Sequence, residues 1–379
     1  MASFGFCVVL ASKLMTDSAQ SRIERLRRLL RDDPVDALLI VAEQNVRYLT
    51  GFTGDSSILL VTVDRTLLIS DGRYTTQLAE ECPGLEIHIR PVEQLLFDAV
   101  GEVVGKLGAG SVGFEPAKLS VARYETICER APGVDLVGVA GRVERLRSVK
   151  DEGEVATIRR AIQQAERGFV MLRAGIRPED SEKDLADALD GYLRRCGASG
   201  AAFPPMVAVG ARAALPHAHP MATSRVADAD FVLVDWGAAV GGYKSDLTRL
   251  IVTGKVTPKF AEVYRAVLEA QRAGIAALLP GASAGSVDTA ARSVIEAAGF
   301  GPSFNHGLGH GFGLEIHESP FFRRDNSVIL EAWMVVTIEP GIYLPGWGGV
   351  RVEDDVLITP DGPEVLTSVP KSLEDIVLR

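Results

Sequence analysis

A chain of 379 residues is longer than one hydrophobic core usually serves, so two domains are expected, and a hydrophobic fraction of 47% is enough to fill both. The formal net charge of -10, with no strong local Lys/Arg cluster, gives no electrostatic footing for nucleic acid or an anionic membrane, and neither is expected as a partner. Cys7, Cys82, Cys128 and Cys196 are scattered without any Cys-x-x-Cys spacing; they read as small buried hydrophobes of a reducing compartment, which makes the cytoplasm the expected location.

The chain opens with a brief apolar run from Phe4 to Ala11, but no positive charge precedes Lys13. The basic region of a signal peptide is therefore missing, and residues 1–17 read as a disordered extension with Met15 as a natural start. No stretch is long enough to span a bilayer. From Ser21 an Arg-rich amphipathic helix runs to Leu30. Strand patterns follow at Ala37–Val41, Ser57–Val63 and Thr66–Ser70, and alternation continues to Val139. An α/β domain over residues 18–146 is predicted. It holds one histidine, His88, and Asp71-Gly-Arg73-Tyr74 reads as a turn opening a helix.

A polar helical stretch around Arg147 to Arg160 marks the boundary, so a second domain spans 147–379. Its plan occurs twice. Helices at Glu154–Leu172 and Asp180–Arg195, the latter capped by Ser181, precede a strand pair over Asp230–Val252. Helices opened by Thr257-Pro258 and running from Val287 to Ala298 precede strand segments at Val335–Tyr343 and Val350–Thr359. Helix, helix, hairpin twice over indicates an internal pseudo-repeat.

Each hairpin carries a pair of acids. A turn about Val240 and Gly241 sets Asp235 opposite Asp246, and symmetry about Gly346 sets Glu339 opposite Glu353. Directly opposed side chains have β-carbons only ~5 Å apart, where like charges repel. One pair alone fits two acids on a solvated face. Two pairs inside apolar, β-branched sequence instead call for cations. The segment Asn305 to Glu318 adds His306, His310 and His317 with glycine at 307, 309, 311 and 313. That is too much glycine for a helix, so an extended strand that packs closely against its neighbours is expected. His217 and His219 sit on a loop before the first hairpin. Four carboxylates and an imidazole match two divalent cations in charge. Their oxygen-rich character suits Mn²⁺, with Co²⁺, Fe²⁺ or Zn²⁺ as further options. Hydrolysis is the reaction such a centre serves.

Asp235-Trp-Gly, Asp246-Leu-Thr-Arg249, His306-Gly-Leu-Gly-His310, His317-Glu-Ser-Pro320, Thr337-Ile-Glu-Pro-Gly-Ile-Tyr343 and Gly349-Val-Arg-Val-Glu353-Asp-Asp355 resemble the pita-bread metallopeptidases, in particular the Xaa-Pro aminopeptidases and prolidases. More loosely, Tyr48-Leu-Thr-Gly-Phe-Thr-Gly54 and Asp71-Gly-Arg-Tyr74 look like their creatinase-type N-terminal domain. The resemblance implies an α/β creatinase-like domain followed by an α+β pita-bread catalytic domain with a pseudo-twofold repeat. By it, Asp235 would chelate one metal, Asp246 and Glu353 would bridge, and His310 with Glu339 would hold the other.

The same resemblance gives His217 and His317 to the substrate and its tetrahedral intermediate, and makes Glu339 the general base toward a hydroxide held between the ions. His306 would line the pocket for the residue after the scissile bond. Tyr343 and Arg351 match further positions near the substrate, Arg351 with an alternative role in orienting an acid. The implied substrates are peptides with proline second, and the implied assembly is a homodimer. Prolidases often carry Arg directly after the His-Glu-x-Pro segment, where this chain has Phe321. That favours an aminopeptidase acting on longer peptides, with a dipeptidase as the alternative and a non-catalytic peptide-binding module as a remote one. Arg323 or Arg324 is placed to substitute for the missing arginine.

Overall fold

The computed structural model describes residues 18–378. The extension expected over residues 1–17 lies outside the described residues. The chain divides into two compact units, Met1–Arg147 and Ser148–Arg379. Among the described residues no helix is long and apolar enough to cross a membrane.

In the first unit, β1 (Ala37–Ile40), β2 (Ile58–Thr62), β3 (Thr66–Asp71), β4 (Glu86–Arg90), β5 (Ser111–Phe114) and β6 (Asp135–Gly138) form one mixed sheet in the order β4-β3-β2-β1-β5-β6. Helical residues 18–30 (α1) and the helices α2 (Glu43–Thr50), α3 (Thr75–Glu81), α4 (Leu96–Gly105) and α5 (Val121–Arg130) accompany it. β1 is buried on both faces, which matches its unbroken apolar run. The turn expected at Asp71 is a short 3₁₀ segment capped by the Asp71 carboxylate, which leads into α3. Arg73 and Arg90 ion-pair with that carboxylate. The Arg73 hydrogen bond pulls its pKa down to about 2.

The polar stretch expected as one helix is two. α6 (Arg142–Ser148) ends, and α7 (Glu152–Gly175) restarts after an extended Asp151. The physical reason is a capping box: Asp151 accepts from Glu154 N, and the Glu154 carboxylate accepts from Asp151 N, each at 2.8 Å. α8 (Glu182–Arg195), α9 (Pro258–Ala276) and α10 (Ala284–Ala297) open on Ser181, Thr257 and Ser283, each hydroxyl accepting a backbone N–H. α7 packs on α8 and α9 on α10, each pair preceding its own hairpin.

Both hairpins are interrupted. The first comprises β9 (Phe231–Trp236), β10 (Ala238–Val240), β11 (Tyr243–Lys244) and β12 (Leu247–Val252), after the short strands β7 (Gly200–Ala201) and β8 (Met206–Val209). Its strands form two ladders, β12-β9-β8 and β11-β10-β7. Val240 pairs with Tyr243 around Gly241 (φ 56°) and Gly242 (φ 84°), a two-residue turn with both φ values positive. The turn thus lies one residue later than expected, and Asp235 faces Thr248 rather than Asp246. Because side chains alternate with period two, this change keeps Asp235 and Asp246 on one face, as diagonal neighbours.

The second repeat contributes β13 (Gly309–Gly311), β14 (Glu318–Phe322), β15 (Val335–Ile338), β16 (Gly341–Leu344), β17 (Gly348–Arg351), β18 (Asp354–Thr359) and β19 (Gly362–Val365). They form a five-stranded sheet, β14-β13-β15-β18-β19, and the separate ladder β16-β17. Ile338 pairs with Asp354 and Gly341 with Arg351, so the register runs unchanged across the break, and Glu339 and Glu353 occupy opposed positions in it. Two apolar cores flank the hairpins. One gathers Phe260, Tyr264, Leu308, Phe322, Ile338 and Val350; the other gathers Phe169, Leu189, Leu193, Trp236 and Ile251. Trp236 stacks on Phe169 at 4.3 Å and donates its indole N–H to Ala165 O. Each large apolar side chain buried in this way contributes roughly 1.5–3 kcal/mol.

Candidate active site

Every acid of interest sits at or beside a break in its ladder. Asp235 is the next-to-last residue of β9, while Asp246, Glu339 and Glu353 lie in the gaps between strands. A local loss of ladder hydrogen bonds lets these carboxylates turn out of the sheet. One carboxylate oxygen from each of Asp235, Asp246 and Glu353 lies within 4.8 Å of the others. His310, on β13, brings Nε2 to 3.7 Å from Asp246 Oδ2 and 3.4 Å from Glu339 Oε1. Four acids and an imidazole, carried by strands and by the gaps between them, therefore share one centre.

Arg249 fastens the two hairpins together. Buried in β12, it reaches Asp354 Oδ1 at 2.7 Å, the Glu353 carbonyl, and Val369 O at 2.9 Å. Thr248 works beside it, donating from Oγ1 to Glu353 Oε2 at 2.6 Å while accepting from Arg351 Nε at 2.9 Å. On the opposite side Thr337 accepts from His310 N at 3.0 Å and donates to Glu339 Oε1 at 3.3 Å.

The glycines of the histidine segment do what their number implied. A β-carbon on Gly309 would lie 2.1 Å from Thr337 O, and one on Gly311 2.4 Å from Ser319 O. The backbone carrying His310 is thus pressed directly onto its neighbours.

Arg351 forms the closest ion pair of the centre, donating from Nη2 to Asp235 Oδ2 at 2.5 Å. Its Nη1 donates to Tyr343 OH at 2.9 Å; Tyr343 OH then donates to His306 Nε2 at 3.0 Å, and His306 Nδ1 donates to Gly307 O at 2.7 Å. Gly307 O can only accept, so Nδ1 carries the proton of the neutral His306 ring and Nε2 is left to accept from Tyr343. The ring is neutral because burial and the Arg351 charge bring its pKa down to about 4.

The electrostatics call for cations. Burial and mutual repulsion raise Asp246 and Glu353 well above the usual carboxylate range, and burial brings Glu339 up to about 7. Burial also raises Asp235, against the Arg351 charge. Asp235 Oδ1 is buried without a hydrogen-bond partner. His310 donates from Nδ1 to Gly311 O at 3.0 Å, so the lone pair on Nε2 faces two carboxylates. Burial lowers the His310 pKa to about 4, which keeps that lone pair available. Unsatisfied acids facing a neutral imidazole suit divalent cations, which bring positive charge to both.

The centre opens into a cavity of about 640 Å³ lined by Phe203, His217, Ile316, His317, Phe321 and Arg323 beside the residues already named. His317 stands edge-on to His310, with ring centroids 4.4 Å apart. Every site residue expected from the sequence lines this cavity: His217, Asp235, Asp246, His306, His310, His317, Glu339, Tyr343, Arg351 and Glu353. His219 does not; its carbonyl accepts from Arg212. Sequence reading missed Thr248, Thr337 and Phe203. Thr248 and Thr337 stand inside the quoted motifs, two residues from Asp246 and Glu339, but no role was assigned to them there.

The fold and the carboxylate centre define a metallohydrolase built on two repeats. Residues 156–360 match the metallopeptidase family M24, and residues 22–149 match the creatinase/prolidase N-terminal domain; the chain belongs to the M24 family. It is 33% identical over 356 residues to the Xaa-Pro dipeptidase of Pyrococcus furiosus, covering 93% of this chain and 99% of that protein. The structure of an Xaa-Pro dipeptidase from Bacillus anthracis superposes with a TM-score of 0.90 at 37% identity, covering 95% of this chain and 100% of that one. That of an X-Pro aminopeptidase from Thermotoga maritima gives 0.84 at 35% identity, covering 92% and 99%. These neighbours carry the α/β creatinase-type domain and pita-bread domain anticipated from the sequence.

Proposed function

We propose that this protein is an Xaa-Pro dipeptidase that cleaves the bond between an N-terminal residue and a C-terminal proline, using two divalent cations. The observation that carries the reading is the convergence of Asp235, Asp246, Glu353, His310 and Glu339 on one cavity. Asp235 would hold one cation, His310 and Glu339 the other, and Asp246 and Glu353 both. Mn²⁺ suits so oxygen-rich a set of donors. When bound, such ions acidify a water and polarise the scissile carbonyl. Glu339 would take up the proton of the attacking water and pass it to the departing proline nitrogen. His217 and His317, at the cavity wall, would hold the substrate carbonyl as it becomes tetrahedral. His306, oriented through Tyr343 and Arg351, would line the proline pocket, whose Phe203, Ile316 and Phe321 suit an apolar ring. Arg351 acts here chiefly on Asp235, the orienting alternative raised for it from the sequence.

The preference expected from Phe321 was for longer peptides; the dipeptidase relatives weigh the other way. Arg323 supports them. Arg324 is engaged by Glu296, whereas Arg323 lines the cavity, makes no ion pair among the described residues, and lies 5.4 Å from the Phe321 ring. A free peptide carboxylate would find its partner there. Aminopeptidase activity on longer chains is the second reading, favoured by Phe321 itself and by the Thermotoga relative.

The test uses metal-stripped protein, restored separately with Mn²⁺, Co²⁺ and Zn²⁺, on Ala-Pro and Ala-Pro-Ala. The expected result is metal-dependent turnover with a higher kcat/KM for Ala-Pro, a preference that Arg323→Ala abolishes. Faster cleavage of the tripeptide would establish the aminopeptidase instead. Asp246→Ala is expected to abolish turnover with the fold retained by circular dichroism, and a retained rate would sink the metal centre.

A further inference from the structure

The loop carrying His317 leaves β13 at Phe312 and rejoins regular structure at Glu318, so residues 312–317 have no strand ladder to fix them. Glu318 fixes them from one end. Its Oε1 accepts Glu315 N at 2.9 Å, closing the loop on itself, and its Oε2 meets Lys150 Nζ at 3.4 Å. Lys150 comes from 168 residues earlier in the chain, and its own backbone N–H is anchored on Trp333 O at 2.8 Å. Both side chains are buried, Lys150 at 1% and Glu318 at 6% exposure. Gly313 leaves the room they occupy: a β-carbon there would lie 3.2 Å from both Glu318 oxygens and 3.3 Å from Lys150 Cε. The other edge of the loop is tied by Lys244 N donating to Gly313 O at 2.9 Å.

A buried ion pair is a poor device for stability, since desolvation offsets the attraction between its charges. Its location suggests another use. His317 lines the catalytic cavity while the adjacent Glu318 turns away to Lys150. The His317 ring is exposed and stands edge-on to His310, with centroids 4.4 Å apart. We propose that Lys150 and Glu318 are positioning residues of the active site, whose buried pair holds the loop that aims the His317 imidazole into the cavity. This rests on the hydrolase reading given above, and it assigns a task to a pair outside the residues that line the cavity.

The test combines Lys150→Met, Glu318→Gln, the double variant and Lys150→Arg. Readouts are Ala-Pro kinetics, bound divalent metal per chain, melting temperature, and NMR of histidine-labelled protein with His317 assigned by its own substitution. Misplacement of a substrate-facing group should lower kcat on the order of 10- to 100-fold. In each single variant this loss is expected with metal content unchanged and the His317 ring resonances shifted. The double variant should be no slower than the slower single, because the two residues act as a unit. Lys150→Arg should recover most of the rate. Glu318→Gln, a neutral isostere, carries the test if Lys150→Met does not fold. Losses that multiply in the double variant, losses that track metal or melting temperature, or unmoved His317 resonances overturn the proposal. If wild-type protein cleaves no Xaa-Pro peptide, the hydrolase reading falls, while the His317 resonances still report whether the pair holds the loop.

Discussion

Arg351 illustrates how one side chain can serve a site without touching the chemistry. Its guanidinium spends four donors on Asp235, Thr248, Tyr343 and Pro216 O, and is almost fully buried. Asp235 and Glu353 are thereby held from one point, the second through Thr248. A lysine has the charge but not the planar fork. Arg351→Lys and Arg351→Met are therefore both expected to weaken divalent-metal binding, on the order of 10- to 100-fold by the precedent of outer-shell substitutions. Titration calorimetry with Mn²⁺ checks this, and unchanged affinity in Arg351→Lys would show that charge alone is required. From the sequence, Arg351 was legible as a neighbour of the site. Its partner acid was not, because only the fold brings residue 235 next to 351.

At the scale of elements, close backbone approach replaces side-chain packing around β13. Gly309 leaves no room for a β-carbon against Thr337 O, which belongs to β15 and cannot withdraw like a flexible side chain. Gly309→Ala must therefore push the two strands apart, at a cost of about 1–3 kcal/mol by analogy with overpacked cores. A lower melting temperature is expected, together with weaker metal binding, since His310 rides on the displaced strand. An alanine variant as stable as wild type would show that the strands adjust freely. Helix starts were readable because Ser181, Thr257 and Ser283 carry their own capping chemistry. The restart of α7 at Asp151 was less so, since a charged, helix-favouring sequence runs through the break and the capping box alone marks it.

For the whole molecule, the metal centre sets a predictable balance between folding and pH. In metal-free protein, burial raises Glu339 to about 7, and burial with mutual repulsion raises Asp246 and Glu353 well above their ordinary values. Between the ordinary carboxylate range and those raised values, these acids and Asp235 bind more protons in the folded state than in the unfolded chain, and they outnumber His306, His310 and His317, whose lowered pKa values act the opposite way below 6.5. Stability of the metal-free protein must then fall as pH rises through that window, and return on acidification. Thermal unfolding after chelation, compared at about pH 5 and about pH 8, should give the higher melting temperature at the lower pH. Divalent metal should reverse that order, because it binds the deprotonated acids. A metal-free protein that melts higher at the alkaline end would contradict the crowding of acids seen here.

The sequence by itself determined the two-domain plan, the repeated helix-helix-hairpin order, and the identity of the acids and histidines in the cavity. The plan and the acids follow from local periodicity, capping and turn composition, and from residue types that apolar strands do not tolerate without a cation, whereas the choice of His217 over His219 came from the motif resemblance. Face sharing by Asp235 and Asp246 survived a misplaced turn, because alternation depends on parity and not on the turn's exact position. Tertiary structure alone decided that Thr248 faces Asp235, that Arg249 fastens one hairpin to the other, and that Lys150 meets Glu318. Those contacts join residues more than a hundred positions apart or depend on single-residue register, and neither leaves a periodic trace along the chain.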